Sequence, residues 1–403
     1  MRKIFAILTA LLLVSCSMNH DEVVVAMKAT QSTKISKEQA LKNLYSELKL
    51  IDGATRADGT LREVKSIKPL VGAVTRSGNT LDNDLLYIVE FGEGQGSAVV
   101  AADTRLEPVI AVLDTDVLTA EDFANDDMND ISAYMASLIE DYAEGVEKRD
   151  ALPLIPANPT NIDTLYTVIA PMLKTKWHQQ APYNNLCFDS NGNQAVAGCV
   201  PIAAAQLIYY LKPFDDMVIN NTAVSTKTFS SLEYLCLPTN VAKTEVAIFV
   251  RAIGGAIGAS YGVSSTGANT ANVANLMQSI GFTYIYRNYS ESLISERLQA
   301  NIPTLIRGTQ FGQSSGHAWV IDGQKTGIIY ELRFTADGGA DRIEIGVAPL
   351  KLHCNFGWGG YCDGYYIGGL FNTSSVNNDV DISAGDIKYT AGYNFTANFK
   401  MIY

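Results

Sequence analysis

The chain has 403 residues, which is more than one hydrophobic core usually holds, so its length predicts two domains. Hydrophobic residues make up 47% of the chain and charged residues 18%, which is enough apolar material for sizeable cores. The formal net charge of −12 argues against non-specific nucleic-acid binding and against attraction to anionic lipid headgroups.

The first sixteen residues have the pattern of an export signal. Two basic residues precede the apolar run IFAILTALLLV, whose eleven residues are too few to span a bilayer as a helix. The run ends in LVSC, which resembles a bacterial lipobox, in which the cysteine is acylated and becomes the new N-terminus. An ordinary secretory signal cleaved nearby is the alternative. We expect residues 1–16 to be a lipoprotein signal peptide with an acylated Cys16, which anchors an exported chain in the bacterial cell envelope, at the outer membrane or cell surface.

Residues 17–150 predict a tether followed by a small mixed domain. The tether is predicted over residues 17–30. Ser36 is a suitable N-cap for a helix over SKEQALKNLYSELKLI, where apolar residues recur at helical spacing. The stretch DLLYIVEFGEGQGSAVVAADTRLEPVIAVLD predicts three strands, and the first two flank a Gly-rich turn. Residues 119–148 are acidic and predicted to be helical.

Residues 151–163 separate this region from a second predicted domain over residues 164–403. The separating segment, ALPLIPANPTNID, contains three prolines and no clear periodicity, which is typical of a linker. In the second domain VAGCVPIAAAQLIYYLK is apolar on nearly all faces and predicts a central buried helix. Two further helices are predicted over 241–258 and 269–280. The predicted strands follow in IPTLIRG, HAWVIDGQ, GIIYELRF, DRIEIGV and YNFTANFKMIY. Helices first and strands later, without regular alternation, indicate an α+β fold.

Five cysteines remain after the predicted signal peptide, and an odd number leaves at least one thiol unpaired or bonded to another molecule. They are Cys187, Cys199, Cys236, Cys354 and Cys362. Cys354 and Cys362 could pair across a loop, or Cys354 could be a core thiol, and the sequence favours neither. The disulfide pattern of the four cysteines other than Cys199 is therefore left open.

Cys199 follows Gly198 at the start of the predicted central helix. A free cysteine is most often a buried, inert residue. At a helix N-terminus, however, the helix dipole and the free N–H groups stabilise a thiolate and lower the thiol pKa. Pro201 fits the first turn, where no intrahelical N–H is needed. The backbone N–H of Cys199 could also donate a hydrogen bond to a developing oxyanion.

A thiolate nucleophile needs a base, an oxyanion donor and a group that holds the base. His317 stands at the entrance of a predicted strand and can supply the base, although an isolated histidine there is usually structural. Gln179 offers a side-chain amide upstream of Cys199, and Asn355 begins an aromatic, Gly-rich loop. The chain order Gln, Cys, His, Asn is that of papain-type sites. The local papain signature around the cysteine is absent.

Four blocks of the chain resemble the streptopain family of cysteine peptidases, which share a papain-like fold. In order they are KWHQQAPYN, GCVPIAAAQLIYYLKP, GHAWVIDG and NFGWGGYCDGYY, and they lie within residues 164–403. The stretch GSAVVAADTRLEPVIAVLD resembles the inhibitory pro-domain of that family. The resemblance therefore implies an α+β fold in which a papain-like domain, with a central helix packed on an antiparallel sheet, follows a smaller α+β pro-domain. It also implies a zymogen, whose pro-domain blocks the cleft until the linker is cut.

By this resemblance Cys199 is the nucleophile, His317 the general base and then acid, and Gln179 an oxyanion-hole donor. Asn355, with the aromatic residues Phe356 and Trp358, belongs to the loop that packs on the histidine. Phe311 and Gln313, shortly before His317, are carried over as residues that line the substrate pocket. We expect no cofactor and no metal ion.

Two departures from the family pattern stand out. Phe356 replaces the first tryptophan of the usual Asn-Trp-Gly-Trp-Gly-Gly run, so an indole N–H is lost and the orientation of the histidine is in question. The segment between His317 and Asn355 is longer than usual by about the hairpin ELRFTADGGADRIEIG. We expect this hairpin to decorate the surface, because surface insertions cost little; a position beside the cleft is the alternative.

The sequence thus predicts a secreted, lipid-anchored cysteine endopeptidase made as a zymogen. The expected partners are protein or peptide substrates, its own pro-domain and a membrane reached through the lipid anchor, with no nucleic acid. Processing should create a new N-terminus between about residues 150 and 166. One alternative is another thiol acyl transfer, as in an amidase or a transglutaminase-like enzyme. The other is a binding protein of the envelope whose catalytic dyad has decayed.

Overall fold

A computed structural model describes most of the chain: residues 33–70, 85–125, 127, 129–144, 162–229, 239–310, 316–335, 339–371 and 393–400. Several predictions fall outside these residues: the signal peptide with Cys16, residues 151–161 of the linker, Cys236, Phe311 and Gln313. Within the described ranges, no helix is long and apolar enough to cross a membrane.

The described residues before the linker, 33–144, are called the N-terminal half. Its helix α1 (Lys37–Thr55) begins after Ser36, whose Oγ accepts a hydrogen bond from the Gln39 N–H at 3.2 Å, and it buries Leu44 and Leu48. This confirms the predicted amphipathic helix. The remaining elements are β1 (Val64–Pro69), β2 (Leu86–Phe91), β3 (Ser97–Ala101), β4 (Val109–Leu113), α2 (Ala120–Ala124) and α3 (Ile131–Glu144).

The described residues after the linker, 162–400, are called the C-terminal half. Its helices are α4 (Cys199–Leu211), α5 (Asn240–Ile257), α6 (Ala271–Ser279) and α7 (Glu291–Gln299), with a 3₁₀ turn at Gly368–Leu370. Its strands are β5 (Ile162–Ile169), β6 (Asp216–Ile219), β7 (Thr222–Ser225), β8 (Tyr284–Asn288), β9 (Thr304–Gln310), β10 (Gly316–Phe334), β11 (Ala340–Asn355), β12 (Gly364–Ile367) and β13 (Tyr393–Lys400). The mixture confirms the α+β class.

One eleven-stranded sheet runs through both halves, in the order β1-β2-β3-β4-β12-β11-β10-β9-β13-β8, with β5 paired to β10. The halves join where β4 pairs with β12 in antiparallel register, Val112 opposite Tyr365. One core also mixes the halves, since it contains Tyr134 of α3 together with Trp319 of β10. Residues Lys34–Tyr403 accordingly form one compact unit.

A second core, formed by the C-terminal half, surrounds α4. Every residue from Val200 to Tyr209 is buried, as the apolar sequence predicts for a central helix. Successive side chains of β10 point to opposite faces of the sheet, so the strand contributes to both cores. Ala318 and Val320 join the core around α4, whereas Trp319 joins the shared core. The helix α4 therefore has a fixed position against the start of β10.

The hairpin predicted between His317 and Asn355 is formed by the outer parts of β10 and β11, which pair out to Phe334 opposite Ala340. Its outer end is exposed: the side chains of Phe334 and Val347 keep 69% and 70% of their accessible surface. This exposure agrees with the expected surface decoration.

Candidate active site

The loop before Cys199 is held in a conformation that only glycine adopts easily. Gly198 has φ = +93°, and a Cβ at this position would lie 2.9 Å from Cγ2 of Thr266. The Thr266 hydroxyl in turn donates a hydrogen bond to the carbonyl of Val196 at 2.7 Å. Cys199 is therefore presented at the first position of α4 by a tightly fixed turn.

The Cys199 side chain is partly exposed at the tip of α4. The backbone N–H groups of Ala318 and Val200 favour its thiolate, and Ala318 is the neighbour of His317. Burial nevertheless outweighs these N–H groups and raises the pKa of the Cys199 thiol. The expectation that the helix N-terminus lowers this pKa is wrong for this form of the protein, because desolvation of the thiolate is the larger effect.

His317 is the second residue of β10 and lies opposite Gly308 of β9. Only 7% of its surface is exposed. Tyr134, on α3 of the N-terminal half, lies edge-on against the imidazole with 4.8 Å between ring centroids. Trp358 also packs edge-on, at 6.1 Å. The imidazole is thus enclosed by one ring from each half of the chain.

Gln179 lies in the segment next to the Cys199 loop. Its backbone carbonyl accepts a hydrogen bond from the Ala197 N–H at 2.9 Å, two residues before Cys199. Trp177, two residues upstream of Gln179, is fully buried and stacks on Tyr209 of α4 with 5.7 Å between ring centroids. The structure therefore brings the Gln179 and Cys199 blocks together.

Asn355 is buried, and its side-chain amide forms three hydrogen bonds. Its Nδ2 donates to the Thr175 carbonyl at 2.8 Å. Its Oδ1 accepts from Gln206 Nε2 at 2.9 Å and from the Gly357 N–H at 3.2 Å. These bonds tie the aromatic loop to α4 and to the segment before Trp177.

The two aromatic residues predicted to pack on the histidine lie in different places. Trp358 contacts His317, as expected. Phe356 is instead a core residue, with its ring 5.4 Å from that of Trp319 and 5.9 Å from that of Tyr366. Phenylalanine in place of tryptophan at position 356 therefore affects the core behind the loop. The ring that packs on the His317 imidazole, that of Trp358, is retained.

Cys354 and Cys362 are separate, buried thiols, so the structure answers the question of their pairing. Burial raises the pKa of both thiols well above the ordinary value, which makes them poor nucleophiles. Cys187 is buried as well, and burial raises its pKa. Among the described residues, no group of three or more His, Cys, Asp or Glu side chains could hold a metal ion.

Two residues of this site were not found from the sequence. Gln206 could have been noticed, because it is a strongly polar residue inside an otherwise apolar helix. Tyr134 carries no local signal, since its contact with His317 joins residues that are far apart in the chain. Only the pairing of the two halves reveals it.

Comparison with known proteins gives consistent matches. Residues 177–366 match the model of the peptidase C10 family. Streptopain from Streptococcus pyogenes is 24% identical over 346 residues, which cover 74% of this chain and 77% of streptopain. The thiol protease/hemagglutinin PrtT of Porphyromonas gingivalis is also 24% identical, over 76% of this chain but 36% of its own length. A solved fragment of prointerpain A from Prevotella intermedia superposes with a TM-score of 0.54 at 21% identity, over 78% of this chain and 95% of the fragment. This likeness supports the papain-like α+β fold.

Proposed function

The chain belongs to the peptidase C10 family of cysteine peptidases through residues 177–366, and on this premise we propose that it is a secreted, lipid-anchored endopeptidase made as a zymogen. In this proposal Cys16 carries the lipid, residues 17–150 hold the tether and the inhibitory pro-domain, and 151–163 are the linker. Residues 164–403 are the catalytic domain, and its substrates are proteins or peptides. The observation that carries the proposal is that α4, which begins at Cys199, shares its core with the start of β10, where His317 stands beside Ala318.

In the processed enzyme, the Cys199 sulphur attacks the carbonyl carbon of the scissile peptide while His317 takes the thiol proton. The negative charge on the former carbonyl oxygen is stabilised by the Cys199 N–H and the Gln179 side-chain amide. The C–N bond then breaks, and the amine leaves with the proton held by His317, which gives a thioester. His317 next deprotonates a water molecule that attacks the thioester, and the acid and the free cysteine are released.

Latency is supported by the contacts of the N-terminal half. Tyr134 covers the imidazole of His317, so α3 occupies space beside the base. We propose that removal of residues 17–150 uncovers His317 and allows the thiolate to form beside the imidazolium.

A buried ion cluster holds α1 against the C-terminal half. Glu47 of α1 receives Lys325 Nζ at 2.8 Å and Lys351 Nζ at 3.4 Å, and all three side chains are at least nine-tenths buried. Burial disfavours the Glu47 carboxylate, but the two lysines outweigh it and lower the Glu47 pKa. We propose that this cluster is one anchor of the pro-domain.

A second ionic contact lies at the joint between β4 and β12. His353 Nδ1 is 2.6 Å from Asp322 Oδ1, and its Nε2 is 3.2 Å from Asp114 Oδ2, just after β4. Burial opposes the charge of His353, but Asp322 and Asp114 outweigh it and raise the His353 pKa to about 10. Burial likewise disfavours the Asp114 carboxylate, but the charge and hydrogen bond of His353, together with nearby positive charges, outweigh this effect of burial and lower the Asp114 pKa.

These shifts predict a pH dependence for pro-domain docking. When the pro-domain separates, Asp114 moves away from His353. The pKa of His353 is therefore higher in the docked state than in the separated state. The contribution of protonated His353 to docking is lost as pH rises toward about 10. Burial raises the Asp363 pKa to about 7, and ionisation of this neighbour weakens docking in the same direction. Asp114 acts oppositely, because its contribution is lost as pH falls below about 4.

We therefore expect docking to be tightest near pH 5 and weaker toward pH 10. The measurement is size-exclusion chromatography, from pH 4 to 10, of Cys199→Ala protein whose linker has been cut by an added protease. His353→Gln should flatten the alkaline side. A separation independent of pH above 5 would contradict this prediction.

We propose a narrower position for the processing site, at the segment before β5. The strand β5 pairs with β10 from its first residue, Ile162, to Ile169. Backbone groups held in a sheet are poor protease substrates, whereas the preceding proline-rich segment suits cleavage. We expect the new N-terminus to lie before Ile162. N-terminal sequencing of incubated precursor, with Cys199→Ala as the inactive control, measures it, and a terminus within β5 would refute this placement.

A further inference from the structure

Gln206 is the one amide side chain in the buried run of α4 from Val200 to Tyr209, and it is fully buried. Burying an amide without hydrogen-bond partners costs stability, and an apolar residue would fill the same space without that risk. The amide therefore calls for a reason beyond packing.

Both ends of the Gln206 amide are used, and each reaches a different block of the site. Its Oε1 accepts a hydrogen bond from the Trp177 N–H at 3.2 Å. Its Nε2 donates to Asn355 Oδ1 at 2.9 Å. Trp177 precedes Gln179 by two residues, and Asn355 precedes Trp358 by three. One side chain thus bridges the segment with the oxyanion donor and the loop with the ring that packs on His317.

Helix geometry places this bridge on the same face as the nucleophile. Seven residues separate Gln206 from Cys199, which is about two turns, or about 10 Å along the axis. Ile202 lies between them on this face, and a Cβ on Gly357 would come within 2.8 Å of its Cγ2. The face of α4 that carries Cys199 is therefore the surface against which the aromatic loop is seated.

We propose that Gln206 is a positioning residue for the peptidase reaction, which holds the Gln179 segment and the Asn355–Trp358 loop in register with Cys199. This inference rests on the proposed function only for its kinetic readout. Gln206 does not touch the reacting atoms. It acts through Trp177, whose N–H loses this hydrogen bond when the amide is removed, and through Asn355, whose Oδ1 keeps the Gly357 N–H but loses the bond to α4.

The first test is kinetic and uses processed enzyme, with active sites counted by a peptidyl epoxide so that unfolded molecules are excluded. Gln206→Leu should lower kcat by about 10- to 100-fold, as expected for small misplacements of catalytic groups. Gln324→Leu is the matched control, because Gln324 on β10 is an equally buried glutamine, and its kcat should match the wild type.

Gln206→Glu separates positioning from packing. The protonated carboxyl of this variant can donate to Asn355 Oδ1 and accept from the Trp177 N–H, whereas the carboxylate cannot donate. The ratio of variant to wild-type kcat should therefore rise as pH falls. A ratio that falls as pH falls, or a wild-type kcat for Gln206→Leu, would overturn the proposal.

A second test does not depend on peptidase activity. In the Cys199→Ala precursor, Gln206→Leu should increase amide hydrogen exchange at least about tenfold in residues 175–179 and 355–359, while α4 stays protected. Unchanged exchange in both segments would overturn the positioning role. If the processed wild-type enzyme has no peptidase activity, the proposed function is refuted. If Gln206→Leu still gives the expected increase in exchange, the bridging role of Gln206 stands independently.

Discussion

Processed Cys199→Ala protein is expected to lose peptidase activity by about 10⁴-fold or more, because neither the thioester nor the His317 proton transfer can form without the sulphur. The helix α4 should be unaffected, since the side chain at its first position is partly exposed and alanine is a good helix former. The measurement is kcat/KM on a fluorogenic peptide, with the linker cut by an added protease in both proteins.

Cys187→Ala is the matched control for thiol removal. Its sulphur is buried and free, with a pKa raised by burial, and it lies outside the proposed catalytic groups. It should keep wild-type kcat/KM. Full activity of the Cys199→Ala protein would refute the assignment of the nucleophile, and loss of activity in both variants would point to a general effect of removing a thiol.

Glu47→Gln is expected to release the pro-domain without cleavage of the linker. The change leaves Lys325 and Lys351 buried without a carboxylate, and breaking a buried ion pair from one side costs about 3–5 kcal/mol. This free energy shifts the docking equilibrium toward the separated state by a factor of about 100 or more. The intact precursor should therefore react with a peptidyl epoxide about 100-fold faster than the wild-type precursor.

Glu90→Gln is the control for this variant. Glu90 pairs with Lys65 at 2.8 Å on the exposed surface of the N-terminal half, and such pairs contribute little. Its precursor should react at the wild-type rate. If Glu47→Gln also reacts at the wild-type rate, the Glu47 cluster does not hold the pro-domain closed.

Local patterns were sufficient for those parts of the fold that depend on nearby residues. The Ser36 cap and the apolar spacing behind it predicted α1, and the continuous apolar run after Cys199 predicted a buried α4. The α5 and α6 helices (Asn240–Ile257 and Ala271–Ser279) were also placed within two residues. In each case burial of one helix face or of the whole helix leaves a periodic signal in the chain.

The pairing between the two halves left no such signal. Lys325 and Glu47 are 278 residues apart, and β4 meets β12 only because the whole sheet assembles. The sequence also predicts two separate strands, HAWVIDGQ and GIIYELRF, where the structure has one continuous strand, β10. Long-range strand order is decided by packing of the complete sheet, and no local pattern determines it.

The site was predicted in outline and not in its internal connections. The four blocks with Gln179, Cys199, His317 and Asn355 were recognised in their order. The direction of the Cys199 pKa shift was wrong, because burial of a thiol by distant segments cannot be inferred from a helix N-terminus alone. Gln206 stands out in the sequence as a polar residue in an apolar run, but its partners Trp177 and Asn355 depend on what lies against α4.

The central claim is that Cys199 is a nucleophile which the N-terminal half keeps latent. Its most direct test is labelling of purified wild-type protein with a peptidyl epoxide before and after linker cleavage, with the modified residue identified by peptide mass spectrometry. Labelling of Cys199 is expected to be slow before cleavage and fast after it, and none is expected in the Cys199→Ala protein. Equal labelling before and after cleavage, or no labelling at Cys199 after it, would contradict the claim.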